Sequence, residues 1–214
     1  PEFSEHQLAR ALIAAEAEQI ARIIALNKSD LVVPFERAWA RLAPYRRMHQ
    51  GVLPLSLNAS AEVDRATLLK RLDGKTTLVL GPSGAGKSTL TNLLVPGASA
   101  LTNEISYALN SGKHTTTSTT LYWVDAERRT ALIDSPGFQE FGLNHIEPMQ
   151  LARLLPDIAE HANDCKFYNC THLHEPGCGV IAQVDSATHA GAINATRYRI
   201  YGELFVELSQ RRFP

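Results

Sequence analysis

An excess of charge of one sign is the first thing this chain lacks. Its 21 lysines and arginines stand against 22 aspartates and glutamates, a net charge of −1. Overall charge therefore supplies no attraction to nucleic acid or an anionic surface, and any such contact falls to local patches such as Arg197, Arg199, Arg211 and Arg212. No apolar run approaches the roughly 18 residues that a membrane span requires. The first twenty residues lack the basic start and continuous apolar stretch of a secretory signal. The expectation is a cytoplasmic chain with no membrane partner, acting as a monomer. Cysteine is scarce: all three lie between Cys165 and Cys178. An odd, clustered set in a reducing compartment argues against a disulfide framework and points to metal. Internal repeats and low-complexity tracts are also missing.

What is present is globular. The 214 residues, 44% hydrophobic and 20% charged, suit one ordinary domain with a small annex. We place these at residues 1–156 and 157–214, where the pattern changes to short helical pieces around the cysteines. Leu8, Leu12 and Ala15 have helical spacing, and the Ile20–Leu26 run then reads as a buried strand delivering Asn27 to a loop. A helix starting near Pro34, a strand over Val52–Leu57 and a helix over Val63–Leu72 follow. A strand at Thr76–Leu80, a glycine-rich turn and a helix from about Gly86 complete a βα unit, which predicts an α/β fold with a doubly wound, mostly parallel sheet. Residues 99–118 are polar and aperiodic, the pattern of a long, mobile loop. Thr120–Val124 and Thr130–Ile133 read as a hairpin, and a last helix carries Tyr198, Tyr201, Leu204, Phe205 and Leu208.

Gly81-Pro82-Ser83-Gly84-Ala85-Gly86-Lys87-Ser88 fits G-x-x-x-x-G-K-[ST] between a strand and a helix. Its glycines let backbone amides turn inward, so that loop and helix N-terminus cradle phosphate; Lys87 reaches the β and γ phosphates, and the Ser88 hydroxyl joins a Mg²⁺ shell. Thr89 completes the phosphate-binding stretch.

Asn27-Lys28-Ser29-Asp30 follows a strand. The Asp30 carboxylate can accept from guanine N1–H and the exocyclic amine together, a pair that adenine lacks. Asn27 supports the loop, the Lys28 stem covers the ring, and Ser60-Ala61 is a candidate source of a backbone amide for guanine O6. This set predicts GTP and GDP as ligands. Its order is inverted: an ordinary GTPase runs from phosphate loop to base reader, whereas here the base reader comes first. Circular permutation accounts for that, because joining old termini and cutting an exposed loop preserves every strand's place.

Asp134-Ser135-Pro136-Gly137 matches D-x-x-G, with Asp134 holding Mg²⁺ through water and the Gly137 amide meeting the γ-phosphate. One hydroxyl of Thr115, Thr116 and Thr117 would complete the Mg²⁺ shell, Thr116 being favoured. A loop ordered by γ-phosphate and released after hydrolysis makes a switch. Where Ras-like enzymes carry a water-positioning glutamine, Phe138 stands here and Gln139 falls one residue late. His114 is then the best candidate for orienting the attacking water.

Cys165-x₄-Cys170-x-His172-x₅-Cys178 offers a closed four-ligand set of the kind that holds structural zinc, with His174 as a rival imidazole. Metal binding would supply folding energy that so short a segment cannot obtain from its own core.

NKSD, GPSGAGKST, GKHTTT, DSPGF and CKFYNCTHLHEPGC in this order closely resemble the ribosome small-subunit-dependent GTPase A family (RsgA, also called YjeQ) over almost the whole chain. The resemblance implies a circularly permuted GTPase domain and a C-terminal zinc domain. It further implies stimulation by the small ribosomal subunit, contact with its rRNA and a role in its late maturation. It supports His114 in catalysis and selects Cys165, Cys170, His172 and Cys178 as the zinc ligands. An alternative within it is an rRNA-binding module that holds nucleotide with negligible hydrolysis until the subunit is present. Family members usually carry an N-terminal OB-fold, whereas twenty-six residues precede Asn27 here; two expectations stand, a trimmed chain with Pro1-Glu2-Phe3 as a cloning remnant or a natural absence of that module, and either puts tight ribosome docking in question.

Overall fold

The computed structural model describes residues 2–48, 51–98, 119–135, 142–186 and 189–210. The candidate residues His114, Thr115, Thr116, Thr117 and Gly137, together with Phe138 and Gln139, lie outside them.

The described chain forms two compact units, each drawn from several stretches of sequence. The first comprises Pro1–Phe3, Ile24–Ala40 and Val52–Glu140. Its strands are β1 (Ile24–Leu26), β2 (Val52–Pro54), β3 (Thr76–Val79), β4 (Thr120–Trp123) and β5 (Ala131–Asp134). β1 and β2 pair in parallel, as do β3 and β5, while β4 runs antiparallel to β5 and closes the expected hairpin. Parallel pairing therefore predominates, in two short sheets ordered β1-β2 and β3-β5-β4. The helices α2 (Val32–Arg41), α4 (Ala61–Leu72) and α5 (Lys87–Leu94) follow β1, β2 and β3, the alternation that a parallel sheet demands. Their core is leucine: Leu53, Leu55, Leu57, Leu68, Leu72, Leu94 and Leu132 cluster together. β1 is shorter than the apolar run suggests. Gln19 adopts a left-handed φ of 54° just past the preceding helix, and Ile20 and Ile23 remain exposed outside the strand ladder.

The second unit gathers Ser4–Ile23, Arg41–Gly51 and Phe141–Pro214. It contains α1 (Glu5–Ala17), α3 (Ala43–Met48), a 3₁₀ helix (Pro148–Leu154), α6 (Pro156–Ala162), α7 (Gly179–Ala182) and α8 (Ala195–Gln210). Ser4 caps α1 by accepting from Gln7 N–H at 3.3 Å, and Asn194 Oδ1 does the same for α8, accepting from Thr196 and Arg197 N–H. The apolar face of α1, with Ala9 and Ile13, buries against Leu151, Ile158, Tyr201, Leu204 and Leu208. An N-terminal helix thus belongs to the same core as the C-terminal one, an association that sequence order conceals. Arg10 reinforces it with a 2.7 Å ion pair to Glu207. Among the described residues no helix is long and apolar enough to cross a membrane.

Arg197 is buried in this unit, its guanidinium donating through Nε and Nη2 to both oxygens of Asp157 at 2.6 Å and lying 4.7 Å from the centre of the Tyr45 ring. Removing one partner of such a pair strands a charge away from water. Asp157→Asn is expected to cost about 3–5 kcal/mol, measured as a lowered urea midpoint; an unchanged midpoint would contradict the buried pairing.

Candidate nucleotide site and metal cluster

In the first unit the two motifs that are far apart in sequence meet. Asn27, at the end of β1, donates through Nδ2 to Ala85 O in the phosphate loop at 3.0 Å. Its Oδ1 accepts from Leu57 N–H at 3.2 Å, so one carboxamide joins the base-reading segment, the stretch after β2 and the phosphate loop. Lys28 takes a left-handed φ of 71°, and Ser29 N–H donates to Leu55 O at 2.9 Å, which fixes the turn that presents Asp30. The Asp30 carboxylate accepts from the Ser56 hydroxyl at 2.6 Å. Ser56 is itself buried, with its N–H donating to Asp64 at 2.6 Å.

Ser60 and Ala61 stand at the start of α4. The Ser60 hydroxyl bonds Ser56 O and the Asp64 carboxylate, so it is Ser56, four residues earlier, whose side chain meets Asp30. Sequence reading passed over Ser56 and Asp64. The only signal for them was a small polar residue closing an apolar strand and an acid in the first turn of the next helix.

The phosphate loop connects β3 to α5, with Gly84 and Gly86 at φ of 74° and 106°. A Cβ at Gly86 would collide with Asn27 Nδ2, so this glycine is required by backbone conformation and by close approach together. Lys87 Nζ donates to Gly81 O at 2.8 Å and Pro82 O at 3.2 Å, folded over the loop. Burial lowers its ammonium pKa, with Asp134 partly countering. Asp134, at the end of β5, is buried; burial raises its carboxyl pKa and Lys87 pulls it back. Ser135 Oγ donates to Val79 O at 3.0 Å, tying the D-x-x-G start to the end of β3. Asn27, Asp30, the loop from Gly81 to Ser88, and Asp134 all belong to this unit.

The second unit brings Cys165, Cys170, His172 and Cys178 together, their ligand atoms all within 4.8 Å of one another. Cys165 Sγ and Cys178 Sγ lie 3.4 and 3.5 Å from His172 Nδ1 and 3.8 Å from each other. A tetrahedral ion bonded at about 2.3 Å to sulfur and about 2.0 Å to nitrogen separates its ligands by about 3.5–3.8 Å, so Cys165, His172 and Cys178 stand at ligand spacing, with Cys170 inside the same 4.8 Å cluster. His172 is buried in the cluster whereas the rival His174 is exposed. Burial lowers the His172 pKa, favouring the neutral, ligating imidazole. Burial likewise raises the thiols of Cys170, to about 12, and of Cys178. Crowding thiols in so dry a place is unfavourable unless a cation stabilises their ionised form. Gly179 N–H and Ile181 N–H already donate to Cys165 and Cys178 sulfur.

Three further residues brace this cluster. Glu175 accepts from the Thr171 N–H and hydroxyl and from the Leu173 and His174 N–H groups. Although burial alone would raise its pKa, the bonds from Thr171 and its neighbours hold the carboxyl well below the usual range. From α8, the Tyr198 and Tyr201 hydroxyls donate to His172 O and Thr171 O, each at 2.7 Å. The spacing of these tyrosines marked a helix face, but not that their hydroxyls hold the ligand loop.

The RsgA GTPase family model matches residues 1–144, the stretch that contains the whole motif series from Asn27 to Gly137. The chain belongs to the RsgA GTPase family. Over 213 residues it is 81% identical to the small ribosomal subunit biogenesis GTPase RsgA of Variovorax paradoxus, covering 100% of this chain and 67% of that protein. Against the protein of the same name from Burkholderia pseudomallei it is 51% identical, covering 98% and 65%. It spans about two thirds of the length of these RsgA relatives. The crystal structure of YloQ, a circularly permuted GTPase, superposes with a TM-score of 0.74 at 28% identity, covering 100% of this chain and 66% of that one. YjeQ from Thermotoga maritima gives 0.73 at 27%, covering 99% and 68%. The N-K-S-D segment preceding the G-x-x-x-x-G-K-S loop is thus the circularly permuted GTPase order.

Two substitutions probe these sites. Gly86→Ala forces a side chain into Asn27 in a backbone region that alanine avoids, and is expected to weaken nucleotide binding at least tenfold in an equilibrium titration, a loss of about 1.4 kcal/mol or more. Cys170→Ser is expected to lower bound metal well below one ion per chain and to lower the melting temperature; one ion retained at full occupancy would remove Cys170 from the ligand set.

Proposed function

We propose that this chain is the GTP-hydrolysing and metal-holding part of a nucleotide-dependent switch acting in late maturation of the small ribosomal subunit, in the cytoplasm and as a monomer. The observation that carries this is the Asn27 bridge to Ala85, which sets the Asp30 carboxylate and the phosphate loop in one site. The names of the relatives, small ribosomal subunit biogenesis GTPases, support the subunit as partner.

Asp30 accepts from guanine N1–H and its 2-amine, its carboxylate held by Ser56; Asn27 and Lys28 frame the base, with Ser29 shaping their turn. Backbone N–H groups of Gly81, Ser83, Gly84, Ala85 and Gly86, in a turn shaped by Pro82, which has no N–H of its own, surround the phosphates with the start of α5 from Lys87 through Ser88 and Thr89. Lys87 exchanges its carbonyl contacts for the β and γ phosphates. Ser88, Asp134 and Thr116 would hold Mg²⁺, which when bound neutralises developing phosphate charge. Asp134 suits this role, since burial disfavours its ionised form until a cation is near. His114 orients water for in-line attack on the γ phosphorus. A bond forms from the water oxygen as the bond to the β-phosphate oxygen breaks, while the Gly137 amide faces the departing γ-phosphate. Cys165, Cys170, His172 and Cys178 would hold Zn²⁺ as a structural ion, and the unit they brace meets the subunit's rRNA.

Asp30→Asn is expected to erase most of the preference for GTP over ATP, read by competition for a fluorescent nucleotide; unchanged preference would mean that the base is read elsewhere. Single-turnover hydrolysis is expected to accelerate at least tenfold as small subunits are titrated in. A rate indifferent to subunits would contradict the assigned partner.

A further inference from the structure

The ligand loop holds four residues between its first two cysteines, Lys166-Phe167-Tyr168-Asn169, and the nucleotide and metal sites use none of them. Tyr168 is fully exposed and Phe167 is 42% exposed, with Lys166 Nζ lying 5.6 Å over the Phe167 ring. A large aromatic side chain ordinarily contributes by burial, and a tyrosine ring wholly in solvent gains nothing of the kind. The tip is nonetheless held in place. Lys166 N–H donates to Gly177 O at 3.0 Å and Cys170 N–H to Phe167 O at 3.3 Å, while the Tyr201 hydroxyl, from a helix buried in its own core, pins Thr171 O at the loop's exit.

Charge at the tip favours an anionic partner. Lys166 is exposed, whereas Glu175, the carboxylate of the same loop, is turned onto Thr171, Leu173 and His174 N–H groups. Asp164 lies outside the tip, on the other side of Cys165 in sequence, with its side chain 70% exposed and 3.9 Å from His161 Nδ1. The tip thus offers flat π surfaces, an ammonium and, at Asn169, an exposed amide. Those are the groups that engage an unpaired nucleotide: ring faces stack on the base, the cation meets phosphate, and the amide bonds a base edge. A protein pocket would instead be matched by a broader apolar surface.

We propose that this aromatic knuckle is an RNA contact, in which Tyr168 stacks on an unpaired base of the small subunit's rRNA and Lys166 meets the adjoining phosphate. The inference rests on the functional reading above, which makes the small subunit the partner.

Equilibrium binding of purified small subunits to the full chain tests it, with variants whose melting temperatures match the unaltered chain. Tyr168→Phe is expected to retain affinity within about twofold, because the stacking ring remains. Tyr168→Leu and Tyr168→Ala are each expected to weaken binding by about 5- to 150-fold, the fold-change of a lost stack worth about 1–3 kcal/mol. Lys166→Ala is expected to reduce the slope of log affinity against log salt by about 0.7–0.9. Undiminished binding by Tyr168→Ala overturns the contact. Full affinity in Tyr168→Leu with loss in Tyr168→Ala overturns the RNA assignment and indicates an apolar protein pocket. Failure of the unaltered chain to bind subunits overturns the functional reading itself, an outcome distinguishable because it does not depend on Tyr168.

Discussion

The Asn27 carboxamide is the interaction on which the arrangement of the nucleotide site depends. It has one donor and one acceptor engaged at once, with Ala85 O on one side and Leu57 N–H on the other. A half-buried amide engaged on both sides is costly to leave unpaired, so its two bonds act as a gauge that holds three chain segments at fixed separation. From it follow the requirement for glycine at position 86, the position of Lys28 in a left-handed turn, and the placement of Asp30 beside Ser56. Because these constraints are spatial, they are indifferent to the order in which the segments are joined. The permuted order of the chain is therefore compatible with an ordinary GTPase site.

The second unit is held in another way. Its apolar cluster is real, running from Ala9 to Leu208, yet much of its definition is polar. Buried Arg197 pairs with half-buried Asp157, Glu175 is surrounded by five donors including the Cys170 thiol, and two tyrosine hydroxyls of α8 hold consecutive carbonyls of the ligand loop. The crowded thiols add a requirement that a metal ion would satisfy. This network gives the knuckle between Cys165 and Cys170 a fixed base, and a rigid base is what a stacking contact needs if ordering cost is not to consume its gain.

Much of this was legible in the sequence, for a physical reason. The G-x-x-x-x-G-K-S, N-K-S-D and cysteine–histidine patterns each use neighbouring residues, so local spacing already encodes much of their geometry. The parallel α/β order was equally plain from alternating apolar runs, and the hairpin from the turn around Asp125, whose carboxylate accepts from Arg129 and Thr130 N–H. What escaped depends on tertiary approach. Ser56 reads as the polar end of a strand until Asp30 is seen beside it, and Asp64 as an ordinary first-turn acid until it accepts from Ser56 N–H. Helix α1 carries no mark of its partnership with α8, since an amphipathic stripe states only that it must be covered. Spacing leaves both His172 and His174 as candidate ligands, and the fold separates them by burying His172 among the three cysteines while His174 is exposed.

The central claim is that Asp30 and the phosphate loop form one guanine-selective site in spite of their reversed order. Competition of unlabelled GTP and ATP against a fluorescent guanine nucleotide bound to the unaltered chain tests this most directly. A carboxylate left without its guanine donors predicts that ATP competes about 10⁴-fold more weakly than GTP. Equal competition by the two nucleotides would contradict the account.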